Sequence, residues 1–205
     1  MKKQYAFFYD SSNCSGCKAC QAACKDKNNL EVGVLWRRVY EVNSGGWTKR
    51  GDAWINEVKA YNISVSCNHC EDPLCVKNCP TNAMHKRKDG VVLVDEKKCI
   101  GCRYCEWACP YGAPQYDEKI GVMSKCTMCE DYIEEEKSPA CVAACPMRAL
   151  DFGEKKEIQK KYGTESEFYP LPSSDMTKPS VVIKAHKDAS STDDSNAWIN
   201  NKEEV

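Results

Sequence analysis

Sixteen cysteines dominate the chemistry that this 205-residue chain can perform. They fall into four groups of four, and each group repeats nearly the same spacing. Groups one and three follow C-x2-C-x2-C-x3-C, whereas groups two and four lengthen the gap before the third cysteine. Cysteines at this density indicate a fold organised by cross-links or bound metal rather than by apolar packing alone. The four groups are Cys14, Cys17, Cys20 and Cys24; Cys67, Cys70, Cys75 and Cys79; Cys99, Cys102, Cys105 and Cys109; and Cys126, Cys129, Cys141 and Cys145.

The spacing predicts cubane iron–sulfur clusters. Where two such clusters share a motif, the first three cysteines of a run bind one cubane and the fourth binds the other. Pro80, Pro110 and Pro146 follow the fourth cysteine in three of the groups. Sixteen cysteines make four complete sites with none left over, so we predict four [4Fe-4S] clusters. Which groups share clusters stays open, because 19 residues separate groups two and three and 16 separate groups three and four.

Disulfides and zinc are the alternatives for so many cysteines. Disulfides need an oxidising compartment and a geometry that cysteines so close in sequence rarely reach. Zinc ribbons use two separate C-x2-C pairs for each ion, which leaves the third cysteine of each compact run without a role. Both alternatives fit the spacing less well than iron–sulfur ligation does.

Short strands and single helical turns are predicted to position these cysteines. Residues 5–9, 63–66 and 91–95 are rich in β-branched or aromatic side chains, and each stretch precedes a cysteine group. The three residues after each third cysteine suit one turn of helix, which a following proline ends. The predicted fold class is therefore α+β, with tandem ferredoxin-like [4Fe-4S] modules arranged as two pseudo-symmetric two-cluster units.

Two long segments of the chain contain no cysteine. Residues 25–66 form an insertion whose aromatic and β-branched residues around a Gly-Gly pair predict a β-hairpin. Residues 168–205 are rich in Pro, Ser and Asp, and predict an extended C-terminal arm that orders on a partner or stays mobile. The hairpin prediction rests on Val39, Tyr40, Trp47 and Trp54, around Gly45 and Gly46.

The composition argues against several functions. The formal net charge is −1, from 29 basic and 30 acidic residues, so nucleic acid is not an expected partner. The apolar stretch near the start is ended by Asp10 and is too short for a signal peptide. No apolar run approaches the roughly 20 residues that span a bilayer. No catalytic residues are predicted, because no Ser/His/Asp set, phosphate loop or nucleotide fingerprint is present.

Several stretches around the cysteines resemble a known family. These residues are similar to the iron–sulfur (B) subunits of anaerobic dimethyl sulfoxide reductases, within the four-cluster proteins of the molybdopterin oxidoreductases. Formate, nitrate, thiosulfate and polysulfide enzymes share the four-cluster pattern, while the second and fourth stretches point to the sulfoxide branch. The stretches are Ser66 to Pro73 (SCNHCEDP), Ala83 to Arg87 (AMHKR), Cys99 to Cys105 (CIGCRYC) and Ala108 to Tyr116 (ACPYGAPQY).

The resemblance implies a nested pairing of the groups. Groups two and three would form an inner unit, 67–109, and groups one and four an outer unit, 1–24 and 110–167. Cluster one would take Cys14, Cys17, Cys20 and Cys145; cluster two Cys24, Cys126, Cys129 and Cys141; cluster three Cys67, Cys70, Cys75 and Cys109; and cluster four Cys79, Cys99, Cys102 and Cys105. Related nitrate reductase subunits have tryptophan at the place of Cys102 and hold a 3Fe cluster, so cysteine here implies a full cubane.

The resemblance also implies a place in a hetero-oligomeric complex. Cluster four would face a quinol-oxidising membrane anchor, and cluster one a molybdopterin catalytic subunit that reduces dimethyl sulfoxide or related S- or N-oxides in anaerobic respiration. The chain would be a non-catalytic electron-transfer subunit, peripheral on the cytoplasmic membrane and exported to the periplasmic side with the catalytic subunit. Because no C-terminal membrane helix of the formate dehydrogenase kind is seen, the anchor would be a separate protein.

Some roles remain open at this stage. A diffusible polyferredoxin is the second functional class that the cysteine pattern allows. His69 and His85 either tune a cluster potential, lie near a quinone or are structural, and the structural role is preferred. The basic residues 86–88 either dock an acidic partner or form a solvated turn, and the turn is preferred.

Overall fold

The computed structural model describes residues 3–189 and 197–204, which form small sheets joined by short helices. This mixed content agrees with the predicted α+β class. The strands of this part are β1 (Tyr5–Asp10), β2 (Arg37–Ser44), β3 (Trp47–Arg50), β4 (Ala53–Asn56), β5 (Lys59–Ser66), β6 (Met84–Lys86), β7 (Val92–Val94), β8 (Gln115–Asp117), β9 (Val122–Ser124), β10 (Leu150–Glu154), β11 (Val181–Lys184) and β12 (Trp198–Ile199). Its α-helices are α1 (Ala19–Lys27), α2 (Leu74–Lys77), α3 (Tyr104–Ala108), α4 (Glu130–Glu134), α5 (Ala140–Ala143) and α6 (Lys155–Tyr162).

Strand β1 is the centre of the first sheet, whose order is β10-β1-β11. It pairs antiparallel with β10 and parallel with β11. Both faces of β1 are covered, since Phe8 packs with Ile158 of α6 and Val182, while Phe7 and Tyr9 belong to the main core. A strand covered on both faces is apolar throughout, which explains why this sequence does not alternate.

The insertion forms the predicted hairpin, but its turn is not at the Gly-Gly pair. Strands β2 and β5 pair antiparallel along their whole length, and β3 and β4 form a second antiparallel pair at the far end. The turn is at Gly51 and Asp52. Gly45 lies instead where two backbones approach closely, because a Cβ there would be 2.1 Å from the Glu57 carbonyl oxygen. Glycine is needed for that approach, so the prediction of a turn at Gly45 and Gly46 was wrong.

The C-terminal segment packs against its own chain. Strand β11 extends the first sheet, and β12 adds a short antiparallel strand to β2 in the second sheet, β12-β2-β5. The Asn201 side chain fixes the end of the segment, because its Oδ1 accepts from the Glu41 amide N–H and its Nδ2 donates to the Val39 carbonyl. The last residues are therefore tied to the start of the hairpin.

The prediction that residues 168–205 order only on a partner or stay mobile is therefore wrong for the described part of that segment. Residues 190–196 and 205 lie outside the described residues. The run Val181 to Ile183 is β-branched and buried, which makes it a strand despite the polar composition around it. A composition averaged over the whole segment hides this short apolar run.

Short helices lie directly beside the cysteines. Helices α2, α3 and α5 have 4, 5 and 4 residues, and each ends just before a Cys-Pro pair. Helix α1 has 9 residues and continues past Cys24, which no proline follows. The predicted single turns of helix before Pro80, Pro110 and Pro146 are confirmed. In the part of the chain that the structure describes, no helix is long and apolar enough to cross a membrane.

The main core includes cysteines among its apolar side chains. It is built from residues of both three-stranded sheets, and a smaller core of Met84, Val92 and Met123 encloses Cys105. The cysteines of the main core are Cys20, Cys67, Cys126, Cys141 and Cys145. Whatever these thiols bind is therefore part of the interior of the protein, and contributes to its stability.

Replacing Phe8 by alanine tests the packing of α6 on the first sheet. The Phe8 and Tyr162 rings stack with 3.6 Å between centroids. Loss of a buried phenylalanine costs about 3–5 kcal/mol of unfolding free energy, so we expect the Tm of the anaerobically purified chain, followed by circular dichroism, to fall by roughly 10 °C. Trp54→Ala is the control, because Trp54 is 63% exposed. Equal Tm values for Phe8→Ala and the wild-type chain would contradict this packing.

Candidate iron–sulfur sites

The four cysteine groups share one backbone feature. The residue just before the second cysteine has a positive φ in every group: +70° at Gly16, +42° at His69, +66° at Gly101 and +62° at Met128. Such left-handed residues turn the chain sharply, which lets neighbouring cysteines face a common centre. At Gly101 a Cβ would lie 2.5 Å from the Gly121 carbonyl oxygen, so only glycine fits there. The repeat seen in the spacing is therefore also a repeat in the backbone.

The first set of cysteines lines a cavity of about 320 Å³. Two of its members lie in the loop after β1, one is in the first turn of α1, and one follows α5. The set is Cys14, Cys17, Cys20 and Cys145. Apolar atoms of Tyr9, Val39, Met147 and Leu150 line the same cavity. Three cysteines of group one thus meet the last cysteine of group four.

The second set lines a cavity of about 260 Å³ and consists of Cys24, Cys126, Cys129 and Cys141. All four of these cysteines are buried. Phe7, Trp36 and Arg37 lie on the same cavity wall. The last cysteine of group one thus meets the first three of group four.

The third set is held together closely enough for its members to influence one another's charge. The pKa of Cys70 is raised to about 12, mainly by burial and also by the neighbouring Cys67 and Cys109, against a hydrogen bond with Thr177. Burial, Cys67, Cys109 and Cys70 also raise the pKa of Cys75. This set is therefore Cys67, Cys70, Cys75 and Cys109.

The fourth set lines a cavity of about 310 Å³ and consists of Cys79, Cys99, Cys102 and Cys105. Apolar side chains, including Met84, Val94 and Met123, line the remaining wall. The three cavities have similar volumes, which is expected if each holds the same kind of group.

Helices connect the sets in pairs. Helix α1 carries Cys20 of the first set and Cys24 of the second, and α5 ends just before Cys145 of the first set and contains Cys141 of the second. Helix α2 carries Cys75 of the third set and is followed by Cys79 of the fourth, and α3 carries Cys105 of the fourth set and is followed by Cys109 of the third. Helix α1 packs on α5, and α2 packs on α3. Because four residues of helix rise about 6 Å, the two sets of each pair are neighbours.

The two pairs of sets meet through the second and third sets. Burial raises the pKa of Cys126, and the charge of Cys24 and then that of Cys67 raise it further, so a thiol of the third set is close to the second set. The spatial order is therefore one, two, three, four. Cys17 of the first set and Cys102 of the fourth are exposed, whereas no cysteine of the second or third set is. The row is thus open to the surface at its two ends.

Backbone amides donate hydrogen bonds to several of the sulfurs. Such bonds stabilise a thiolate and raise the reduction potential of a cluster that it binds. The bonds run from Ala149 N to Cys145 Sγ (3.3 Å), from Met128 N to Cys126 Sγ (3.3 Å), from Met84 N to Cys79 Sγ (3.3 Å) and from Met123 N to Cys99 Sγ (3.4 Å). Donors that point at sulfur are what a metal-bound thiolate requires.

The donor set fits cubane clusters better than the alternatives. All sixteen cysteines are free thiols. A zinc ion would draw four sulfurs to within about 2.3 Å of one point, but no three His, Cys, Asp or Glu side chains of the described residues converge as one metal ion requires. The sulfurs instead surround cavities of about 260 to 320 Å³. Four thiolates at each site are the ligand set of a four-iron cubane.

The two histidines differ in their surroundings. His69 is fully buried, its Nδ1 accepts from the Val92 amide N–H, and its Nε2 has no hydrogen-bond partner in the described chain. Burial and the charges of Lys125 and Lys86 hold its pKa well below the usual range, so the ring is neutral. His85 is exposed, with Nδ1 3.0 Å from the Ala83 carbonyl oxygen. Neither histidine lines one of the three cavities.

Two side chains of the basic residues 86–88 are engaged within the chain itself, and Lys86 Nζ donates to the Cys70 and Glu71 carbonyls at 2.9 and 3.0 Å. Arg87 forms ion pairs with Glu130 at 2.7 Å, Glu134 at 2.9 Å and Asp89 at 2.9 Å. The first two of these carboxylates belong to helix α4. Arg87 thus fastens the β6–β7 ribbon to the loop inserted in group four.

Sequence reasoning missed two buried cations beside the cysteines. Arg37 is 3% exposed and Lys125 is 2% exposed. The only signal for Arg37 is its place in β2, two residues before the buried Val39, because alternate residues of a strand share a face. Lys125 gives no signal beyond its position next to Cys126.

A family model described as a 4Fe-4S dicluster domain matches residues 58–155. This stretch contains all cysteines of groups two, three and four. The match agrees with the cavities and with the repeated backbone, and makes this an iron–sulfur protein with a ferredoxin-like dicluster domain.

Known proteins resemble the chain over most or all of its length. The B subunit of the anaerobic dimethyl sulfoxide reductase of Escherichia coli K12 is 52% identical over 205 residues, covering 100% of both sequences. The corresponding B subunit from Haemophilus influenzae is 48% identical over 204 residues, covering 99% of this chain and 100% of that one. The B subunit of the sulfite dehydrogenase of Allochromatium vinosum is 42% identical over 171 residues, covering 74% of this chain and 69% of that one. The chain therefore belongs to the family of iron–sulfur electron-transfer subunits that includes the B subunit of anaerobic dimethyl sulfoxide reductase.

Proposed function

We propose that this chain carries four [4Fe-4S] clusters and passes electrons between two partner proteins, with no substrate chemistry of its own. The observation that carries the proposal is the gathering of sixteen cysteines into four sets in one row. A bound cluster accepts and releases one electron at a time. The residues of the chain hold the clusters at fixed spacing, exclude water from the middle of the row and bring its two ends to the surface.

Each set of cysteines holds one cluster in this proposal. The first to fourth sets, as defined above, bind clusters one to four. The chain then divides into an outer ferredoxin-like unit, 1–24 and 110–167, and an inner one, 67–109, related by pseudo-symmetry. The insertion 25–66 and the C-terminal segment 168–205 surround them. Support comes from the packing of α1 on α5 and of α2 on α3, since each helix pair connects two sets.

The partners are placed at the two ends of the row. A quinol-oxidising membrane anchor delivers electrons at the fourth set, where Ile100, Tyr104 and Trp107 are exposed and offer apolar surface. A molybdopterin catalytic subunit receives them at the first set, where Cys17 and Met147 are exposed. A relative matched over the full length of both sequences is the B subunit of a dimethyl sulfoxide reductase, which supports dimethyl sulfoxide or a related S- or N-oxide as the terminal acceptor.

The same proposal gives the location of the protein. The complex is a hetero-oligomer on the cytoplasmic membrane, and this chain is a peripheral subunit, carried to the periplasmic side together with the catalytic subunit.

Metal analysis after anaerobic purification from the native host tests the function. Four cubanes give about sixteen irons and sixteen inorganic sulfides per chain, and we expect a molybdenum-containing protein to co-elute in constant ratio. The same iron content in a monomer that co-elutes with no partner would favour the polyferredoxin instead. Zinc in place of iron would contradict both.

Serine substitutions test which cysteines share a cluster. Cys145 and Cys141 are one helical turn apart, yet they belong to the first and second sets. We expect Cys145→Ser to alter the same electron paramagnetic resonance (EPR) signal as Cys14→Ser, although these residues are far apart in sequence. Cys141→Ser is the matched control, and it should alter the signal that Cys24→Ser alters. If Cys145→Ser and Cys141→Ser changed one common signal, the assignment of the outer unit would be wrong.

A further inference from the structure

We propose that two buried cations, Arg37 and Lys125, raise the reduction potential of the cluster bound by the second set. This inference rests on the proposed function, because it requires that the second set holds a cluster. It adds two residues that bind no iron but determine where in the row an electron is most stable.

Arg37 lines the cavity of the second set and is almost fully enclosed by protein. It donates hydrogen bonds to Ser64 Oγ and Ser66 Oγ, each at 2.9 Å. The guanidinium carbon lies 5.0 Å from the centroid of the Phe7 ring. Arg37 Nε is buried with no hydrogen-bond partner within the described chain. An unpaired donor beside this cavity fits an acceptor that the bound cluster would supply.

The positive charge of Arg37 is not balanced by a carboxylate. None of the ion pairs between described residues involves Arg37 or Lys125. Burial alone would lower the pKa of Arg37, but the charges of the surrounding cysteines outweigh burial and raise it. Those cysteines are Cys141, Cys20, Cys126 and Cys24, in decreasing order of effect. Three of these cysteines, Cys24, Cys126 and Cys141, line the same cavity as Arg37, so the thiolates that would bind a cluster there are placed to balance its charge.

A hydroxyl connects Arg37 to the neighbouring first set. Ser64 Oγ accepts from the guanidinium and lies 3.5 Å from Cys20 Sγ. With its oxygen engaged by the arginine, the hydroxyl hydrogen is available to the sulfur. Arg37 therefore acts on the second set directly and on the first set mainly through one polarised hydroxyl.

Lys125 is buried next to Cys126 of the second set. Its Nζ donates to the carbonyl oxygens of Val92 and, at 2.8 Å, Cys126. Burial raises the pKa of Cys126, Cys75 and Cys109, and the Lys125 charge opposes this rise in each of them. Lys125 thus lies between the second and third sets, and the second set is flanked by both cations.

Charge at such short range changes a reduction potential in a known direction. Reduction adds one electron, so a nearby cation stabilises the reduced state more than the oxidised one. The effect is large for a buried cation, because the low interior dielectric screens it little. Cations nearer the surface beside the cysteines are paired instead, as Lys27 is with Asp131 and Arg103 with Glu106. The buried cations therefore act on the second cluster with little cancellation.

The test is a potentiometric titration of the complete anaerobic complex, followed by EPR, with a reduced mediator as electron donor. We expect Arg37→Gln and Lys125→Gln each to make one-electron reduction of the second cluster at least tenfold less favourable, a midpoint about 59 mV lower. Iron content should stay at the wild-type value. Arg37→Lys keeps the charge and should shift the midpoint less than half as much as Arg37→Gln. Arg50→Gln is the matched control, since Arg50 is 65% exposed on the hairpin.

Each outcome of this titration has a definite meaning. Full iron content with unchanged midpoints in both glutamine variants would overturn the role of the cations and leave the proposed function intact. An equal shift in Arg37→Lys and Arg37→Gln would also overturn it, since hydrogen bonding and not charge would then be responsible. If Arg37→Gln lost iron, Lys125→Gln would decide, and an unchanged midpoint there would refute the proposal. A wild-type complex without [4Fe-4S] signals would instead refute the proposed function.

Discussion

The interior of this protein depends on thiols that need a ligand. Burial raises the pKa of Cys24 and Cys126, and each lies among further cysteines that raise it more. A core that contains five cysteines together with strand residues gains its stability only partly from apolar burial. In the proposed assignment, metal–thiolate bonds supply the remainder and join segments as distant as the loop after β1 and the end of α5. The small sheets and very short helices are sufficient because the cysteines connect them.

Short helices shared between sets follow from the same constraint. A cysteine and its successor four residues later lie about one helical turn apart. When the first binds in one set and the second in the next, the two sets are held at a fixed, short separation. Each pair of sets is connected by two packed helices, α1 with α5 or α2 with α3. These two connections fix the distance between the two sets and the direction from one to the other. A row of sites is the natural result, and its two ends are left open to partners.

Much of this arrangement follows from the sequence, because metal ligation imposes spacing. The x3 gap before each Cys-Pro predicts a helical turn that proline ends, and helices α2, α3 and α5 end there. The α+β class and the strands before three cysteine groups were also predictable, since β-branched runs are local signals. The resemblance to iron–sulfur B subunits, which the full-length relatives confirm, was equally readable from the residues between the cysteines.

Other features were not predictable, because they depend on contacts between distant residues. Gly45 looks like a turn residue, but it is a point of close approach to Glu57, which only the folded hairpin creates. The strand β11 is a four-residue apolar run in a polar segment, and its partner β1 is at the other end of the chain. Which groups combine into sets is likewise a matter of helix packing, so the spacing alone left it open.

The position of charge inside the protein was also not predictable from the net charge. A formal net charge of −1 suggests a nearly neutral molecule. Near the surface of the described residues, several lysines and arginines form ion pairs with carboxylates. Arg37 and Lys125 are exceptions to that surface pattern, because they are buried beside sulfur and away from any ion-pairing carboxylate in the described chain. Four thiolates and a cluster form an anion, and enclosing an anion in protein requires compensation by donors or cations. The amide donors serve the first, second and fourth sets alike, whereas Arg37 lines the second set and Lys125 lies beside the second and third sets. Interior charge can therefore differentiate chemically identical clusters while the surfaces that meet the partners stay unchanged.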